Sequence, residues 1–258
     1  MEFEERFSIV KRNEIVDKAS RCIWTEQGTP GRDYLLNQRG LSEDTIREFR
    51  LGYMPRFVDH QLRGRIILPL YDPSGNLIVV GSRAIQTSKF LPVYWHEKYE
   101  KQFYLFGIHN AKSSIVRHQF CIIVEGQFDV LQVANHGIKN VVGLCGNKLS
   151  EVHVSIIERY CDDMILALDT DENQAGQRGA AKAVAANQYM WGTKNEWSSS
   201  VFPFPPTLSS FSFPSRKIMA VGFPDNTDPD EFIRKNGIDK FKKIVKGKLY
   251  ELRRRDSS

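Results

Sequence analysis

The run FCIIVEGQFDVLQVANHG (120–137) holds the pattern on which the fold turns. Its opening FCIIV (120–124) is a short unbroken apolar segment, as in a strand covered on both faces, and it leads into the helical stretch FDVLQVANHG. Between them lies Glu125-Gly126. The glycine lets the chain turn tightly, which leaves Glu125 at the sheet edge and Asp129 on the first turn of the helix. Downstream the unit repeats: NVVGL (140–144) leads into LSEVHVSIIERY, MILAL (164–168) into AGQRGAAKAVAANQYM, and KIMAV (217–221) into DPDEFIRKNG. Four strand-to-helix units in succession, joined by right-handed crossovers, predict a doubly wound parallel sheet with helices on both faces.

Upstream, residues 1–113 mix helix and strand signals and predict an N-terminal α+β subdomain. Gly31–Gln38, the break at Arg39-Gly40, and Ser42 as an N-cap before EDTIREF suggest two short helices. RIILPLY (65–71) and LIVVGSRAI (77–85) flank DPSGN, whose Pro, Gly and Asn suit a hairpin turn. The sheet domain is expected over 114–237, interrupted by a Ser/Pro/Phe-rich insertion at 192–215, with a helical tail at 238–258. The insertion reads as a loop, or as a docking segment carrying exposed aromatics. No internal repeat is visible.

The 258 residues are 41% apolar, enough for a packed core, and their formal charge of +5 is compatible with a polyanionic partner. No apolar run reaches the length of a membrane span, and MEFEERF lacks the order of a signal peptide, so a cytoplasmic protein is expected. Cys22, Cys121, Cys145 and Cys161 lack the spacing of a zinc site and read as reduced thiols.

In open α/β sheets, ligands gather beyond the carboxyl ends of the strands. Three of the four ends carry acids: Glu125 with Asp129, then Asp169-Thr170-Asp171, then Asp225 and Asp228-Pro229-Asp230-Glu231. Converging carboxylates repel one another unless a cation neutralises them, and hard oxygen ligands select magnesium or manganese. Each acid taken alone reads equally as an N-cap or a partner of a helix N-terminus. Glu-Gly-x-x-Asp after one strand and Asp-x-Asp after another form a joint signal far stronger than either.

VEGQFDVL (124–131) and ALDTDENQAG (167–176) resemble the two signature motifs of the Toprim domain. That domain is shared by bacterial replicative primases, type IA and II topoisomerases, recombination mediators and certain nucleases. The resemblance implies an acid/base or metal-linked role for Glu125 and divalent-ion binding by Asp169 and Asp171. Further motifs resemble the bacterial replicative primase family: YLLNQRGLSEDTIREFRLGYMP (34–55), RIILPLYDPSGNLIVVGSR (65–83), KFLP (89–92), LFGI (105–108) and TDPDEFIRKNG (227–237). This resemblance implies primer synthesis on a single-stranded DNA template from ribonucleoside triphosphates. It also implies a replicative helicase and a separate zinc-binding protein as partners, in the cytoplasm of a bacterium or of a phage-infected host.

Joining two nucleotides needs a 3′-oxygen to attack an α-phosphorus while charge develops on the leaving pyrophosphate, and paired metal ions stabilise both ends. The expected ligands are Glu125, Asp169, Asp171, Asp228 and Asp230, with Glu125 alternatively assisting deprotonation and Asp129 supporting it. Arg63, Arg65, Arg83, Lys89, Lys98 and Lys101 crowd the preceding region. Arg63, Arg65, Arg83 and Lys89 are the expected contacts to nucleic acid or nucleotide, Arg83 and Lys89 because they match motif positions. Tyr94, Trp95, Tyr99, Phe103 and Tyr104 suit either base stacking or hairpin packing.

Two departures from the family stand out: Asp-Thr-Asp in place of Asp-Gly-Asp, and Gly-Asn-Lys (146–148) where small residues and Thr are usual. The zinc-binding and helicase-binding domains that flank this core in bacterial primases are missing from the sequence; Met1 and Arg253-Arg254-Arg255 favour a natural short form of phage or plasmid type. The rival readings are a Toprim nuclease and a non-catalytic single-strand-binding accessory.

Overall fold

The computed structural model describes residues 7–57, 61–86, 92–146, 148–168, 217–224 and 227–254. The chain opens with α1 (Ile9–Cys22), capped by the Ser8 hydroxyl, which accepts from the Lys11 amide. Then come α2 (Thr29–Asp33), running into a π-helical turn at Tyr34–Gln38, and α3 (Glu43–Glu48), where Ser42 accepts from the Thr45 amide as the sequence predicts.

β1 (Gly52–Met54), β2 (Arg65–Tyr71), β3 (Leu77–Ala84) and β4 (Tyr94–His96) form an antiparallel sheet in that order. The β2–β3 turn is closed by Asp72, whose carboxylate accepts from the backbone and side-chain amides of Asn76, each at 2.9 Å. Gly75 adopts φ +94° there, and a Cβ would lie 2.7 Å from the His109 ring, so only glycine fits. Pro69 is tolerated in β2 because β1 pairs only with Arg65–Ile67, leaving that flank of the strand without a ladder to break. Ile15, Val16 and Ala19 of α1 bury one face of this sheet against Ile67 and Val80. A buried ion pair pins the exit of β4. Arg12 Nε lies 2.9 Å from Glu97 Oε2, while Glu97 also accepts from the amides of Phe7 and Val80, so no charge is left bare.

α4 (Ile108–His118) runs across the 113/114 division expected from the sequence. After it, β5 (Phe120–Val124), α5 (Gln127–Asn135), β6 (Val141–Gly143), α6 (Glu151–Ile157), β7 (Asp163–Ala167) and β8 (Lys217–Val221) build the second sheet and its helices. The four strands are parallel in the order β6-β5-β7-β8. Period two sorts their side chains between two cores. Cys121, Ile123, Met164 and Leu166 face Ile115 of α4 and Ile157 of α6. Ile122, Val124, Ile165 and Ala167 face Val130 and Val133 of α5, Phe232 of α7 (Pro229–Asn236) and Phe241 of α8 (Ile238–Arg254). Helices therefore cover both faces. This second core is continuous with Ile66, Leu68 and Val79 of the first sheet, so the two sheets share one apolar interior. Among the described residues no helix is long and apolar enough to cross a membrane.

Candidate active site

Glu125 leaves β5 at the carboxyl edge of the parallel sheet, and Gly126 caps α5 with extended backbone. A Cβ on Gly126 would stand 2.8 Å from Asp129 Oδ2, which explains the glycine. Asp129 is 6% exposed and works with both oxygens. Its Oδ2 accepts from the Gly126 amide at 2.9 Å, and its Oδ1 from the Asp230 amide at 3.1 Å. One carboxylate thus ties the turn after β5 to the first turn of α7.

Asp228 caps α7, accepting from the Glu231 amide at 2.6 Å, with Pro229 at the first helical position. Burial, then the neighbouring negative charges of Asp230 and Glu231, raise its pKa above the ordinary carboxylate value, against the Glu231 amide that lowers it. Glu125 and Asp228, distant in sequence, line the same cleft of about 510 Å³ together with Gly126, Gln127 and Asp129. The opposite wall belongs to the first sheet and its exit: Ser82, Tyr94, Trp95, His96, Tyr99 and Lys101, with Cys145 and Gly146 closing one end. Two carboxylates facing one polar cleft, one of them destabilised as an anion, form a donor set that fits a hard divalent cation. Among the described residues no cluster of three Asp, Glu, His or Cys residues completes a metal site. Asp169, Asp171 and Lys89 lie outside the described residues, as do Asp225 and the 192–215 insertion.

Two of the expected site residues are engaged elsewhere in the structure. Asp230, assigned to the ions, is instead buried in a cage of guanidinium groups: Arg39 reaches its Oδ2 at 2.6 Å, and Arg234 bonds Oδ1 at 3.0 Å and Oδ2 at 3.2 Å. These pairs hold the first turn of α7, and Asp230 is not among the residues that line the cleft. Arg65, assigned to nucleic acid, is 4% exposed and donates to the carbonyls of Pro92 and Val93 at 2.7 and 3.2 Å. Burial lowers its pKa from the ordinary value, and the side chain holds the approach to β4 in place.

Arg63 is exposed on the turn before β2. Arg83 sits half-buried behind the cleft wall: its Nε donates to the Tyr34 hydroxyl at 2.8 Å, and its guanidinium lies 4.7 Å from the Tyr94 ring centroid. Arg39 shares the same hydroxyl at 2.9 Å and stacks over Phe128 at 4.4 Å. Tyr34 and Arg39 went unread as site residues; the only signal was that both fall inside the stretch resembling the primase family. Cys145, with φ +54°, borders the cleft, and burial pushes its thiol up to about 11, so it stays protonated and unreactive at neutral pH. All four cysteines are free.

Residues 122–199 match the Toprim-like family, a span containing Glu125, Asp129, Asp169 and Asp171. The whole fold superposes on the DnaG catalytic core with a TM-score of 0.73 at 21% identity, covering 93% of this chain and 80% of that one. Residues 122–199 are thus similar to the Toprim-like family, and the fold is similar to that of the DnaG catalytic core. A DnaG primase catalytic domain bound to single-stranded DNA matches at TM-score 0.71 and 20% identity, over 93% of this chain and 80% of that one. In sequence, the DNA primase of Rickettsia typhi is 28% identical over 94% of this chain and 42% of the relative. The chain thus spans about two fifths of the length of curated relatives that it matches.

Proposed function

We propose that this chain is the catalytic core of a DNA primase, an RNA-polymerising enzyme that joins ribonucleotides on single-stranded DNA with Mg²⁺ or Mn²⁺. The observation that carries this reading is the meeting of Glu125 and Asp228 in one cleft at the carboxyl edge of a Toprim-like sheet. β7 lies between β5 and β8, and Asp169 and Asp171 follow it in sequence. Glu125, Asp169, Asp171 and Asp228 would hold the cation, with Asp129 and Asp230 fixing the two turns that present Glu125 and Asp228. A bound divalent cation supplies charge stabilisation to the attacking and leaving oxygens of an in-line displacement. Glu125, as a carboxylate at the cleft, would accept the proton of the attacking 3′-hydroxyl.

Arg63, Lys89 and Lys101 would meet template or nucleotide phosphates from the first-sheet side, while Arg83 holds the Tyr34 hydroxyl and the Tyr94 ring in place. Single-stranded DNA and ribonucleoside triphosphates are the substrates on this reading. A replicative helicase and a zinc-binding protein supply helicase coupling and template selection. A nuclease using the same acids has no need of a wall built from the first sheet, and here Ser82 and Tyr94–His96 form that wall. The test is synthesis of labelled RNA on single-stranded DNA with Mg²⁺ or Mn²⁺. Short RNA is expected from the wild type and none from Asp169→Ala or Glu125→Ala; degradation of the template without RNA would support the nuclease.

A further inference from the structure

The cleft wall opposite the carboxylates contains an aromatic ring that packing does not account for. β4 pairs antiparallel with β3, placing Tyr94 beside Arg83, and period two sends Tyr94 and His96 to one face and Trp95 to the other. Trp95 packs into the α1 side of the sheet, 6.1 Å from the Phe7 ring. Tyr99 packs on the main core and bonds the Cys145 thiol. Tyr94 does neither: it lines the cleft with Glu125 and Asp228 and is 41% exposed.

That ring is nevertheless held still. Arg83 covers it at 4.7 Å from the centroid and is itself anchored on the Tyr34 hydroxyl and beside Phe128. Burial raises the Tyr94 pKa, against the lowering effect of Arg83 and Arg39. An immobilised ring with a cation behind it and open cleft before it offers a π surface at little cost in conformational entropy.

We propose that Tyr94 is the stacking platform for the base of a nucleoside triphosphate bound in the cleft that Glu125 and Asp228 line, with Arg83 bracing the ring from behind. The inference rests on the primase reading and adds the base subsite to it. Every base has a π face, so the platform is tolerant of base identity. The cleft volume of about 510 Å³ lies within the range of small-molecule sites.

The test uses the full chain, a 2-aminopurine ribonucleoside triphosphate as fluorescent probe, and the variants Tyr94→Phe and Tyr94→Leu. In wild type without template, stacking should quench the probe on binding. Tyr94→Leu should weaken probe binding and raise the KM for ribonucleotides about 10-fold with kcat little changed, as loss of one base–aromatic stack predicts. Tyr94→Phe should behave as wild type, and affinity for an oligodeoxythymidylate should not move in either variant. Unquenched binding by wild type overturns the platform even if Tyr94→Leu fails to fold. So does a folded Tyr94→Leu with wild-type KM, or one that loses oligonucleotide affinity alone, which would hand the ring to the template. A wild type that makes no RNA and binds no nucleotide removes the primase reading itself, whereas RNA synthesis with unchanged KM in Tyr94→Leu removes only the platform.

Discussion

Asp129 shows how a carboxylate can matter through the backbone amides that it holds. Both of its oxygens accept from backbone amides, so the near-isosteric Asn is a poor substitute: its amide nitrogen would confront one of those N–H groups donor to donor. Asp129→Ala strands both amides, each costing about 1–3 kcal/mol when buried and unpaired. Asp129→Asn should still lose about 1–3 kcal/mol. Urea unfolding would show this as a lowered midpoint with an unchanged slope, and RNA synthesis should fall in both variants because the turns bearing Glu125 and Asp228 are no longer tied. Wild-type stability for the Asn variant would mean that the two hydrogen bonds contribute little. The meeting of Glu125, Asp129 and Asp228 at one cleft was legible because each sits at a strand end or a helix start, where sequence pattern fixes position. The roles of Asp230 and Arg65 were not. Their partners are settled by packing across the chain, as in the Arg39–Asp230 pair separated by 191 residues, and charge in a sequence carries no sign of whether it is already neutralised.

α6 carries a cap that ties it to the cleft wall. Buried His153 accepts the Ser150 amide at Nδ1, and Nε2 faces the carbonyls of Lys101 and Tyr104 at 2.9 and 3.1 Å. An amide only donates and a carbonyl only accepts, so the ring must be neutral with its proton on Nε2. Burial lowers its pKa below the ordinary 6.5, against the two carbonyls that raise it. A lowered pKa on a base means that the unfolded chain binds the proton first. The stability from this cap is therefore full above about pH 6.5 and declines as pH falls toward the folded value. His153→Gln keeps the reciprocal Ser-x-x-Gln cap without a titrating group. Melting temperatures at about pH 7.5 and 5.5 should show a smaller acid-induced drop for this variant than for wild type; an equal drop would place the acid sensitivity elsewhere. Elements were read unevenly. β2, β3 and the four parallel strands announced themselves by apolar runs bounded by turns. α1 passed unread because its buried stripe of Ile15, Val16 and Ala19 is narrow and includes the charged Arg12, while Ile9 and Val10 are exposed.

At the scale of the molecule, a cleft walled by two sheets brings Glu125, Asp129 and Asp228 together. Asp230 is neutralised by Arg39 and Arg234, but Asp228, facing the cleft, has its pKa raised by burial and by its acidic neighbours. A cation at this edge would offset the burial and the acidic neighbours that disfavour the Asp228 anion. A cation that binds only the folded chain stabilises it by RT ln(1 + [L]/Kd), about 2.7 kcal/mol at one hundred times Kd. For a chain of this size that corresponds to a rise in melting temperature of roughly 5–10 °C. Mn²⁺ should therefore raise the Tm of wild type, and EDTA should reverse it. In Asp228→Ala the metal-free Tm should fall with the loss of the α7 cap, and the Mn²⁺-induced increment should shrink both there and in Glu125→Ala. If the increment survives intact in both variants, the cation binds away from this cleft, and the carboxylates at the sheet edge need another explanation.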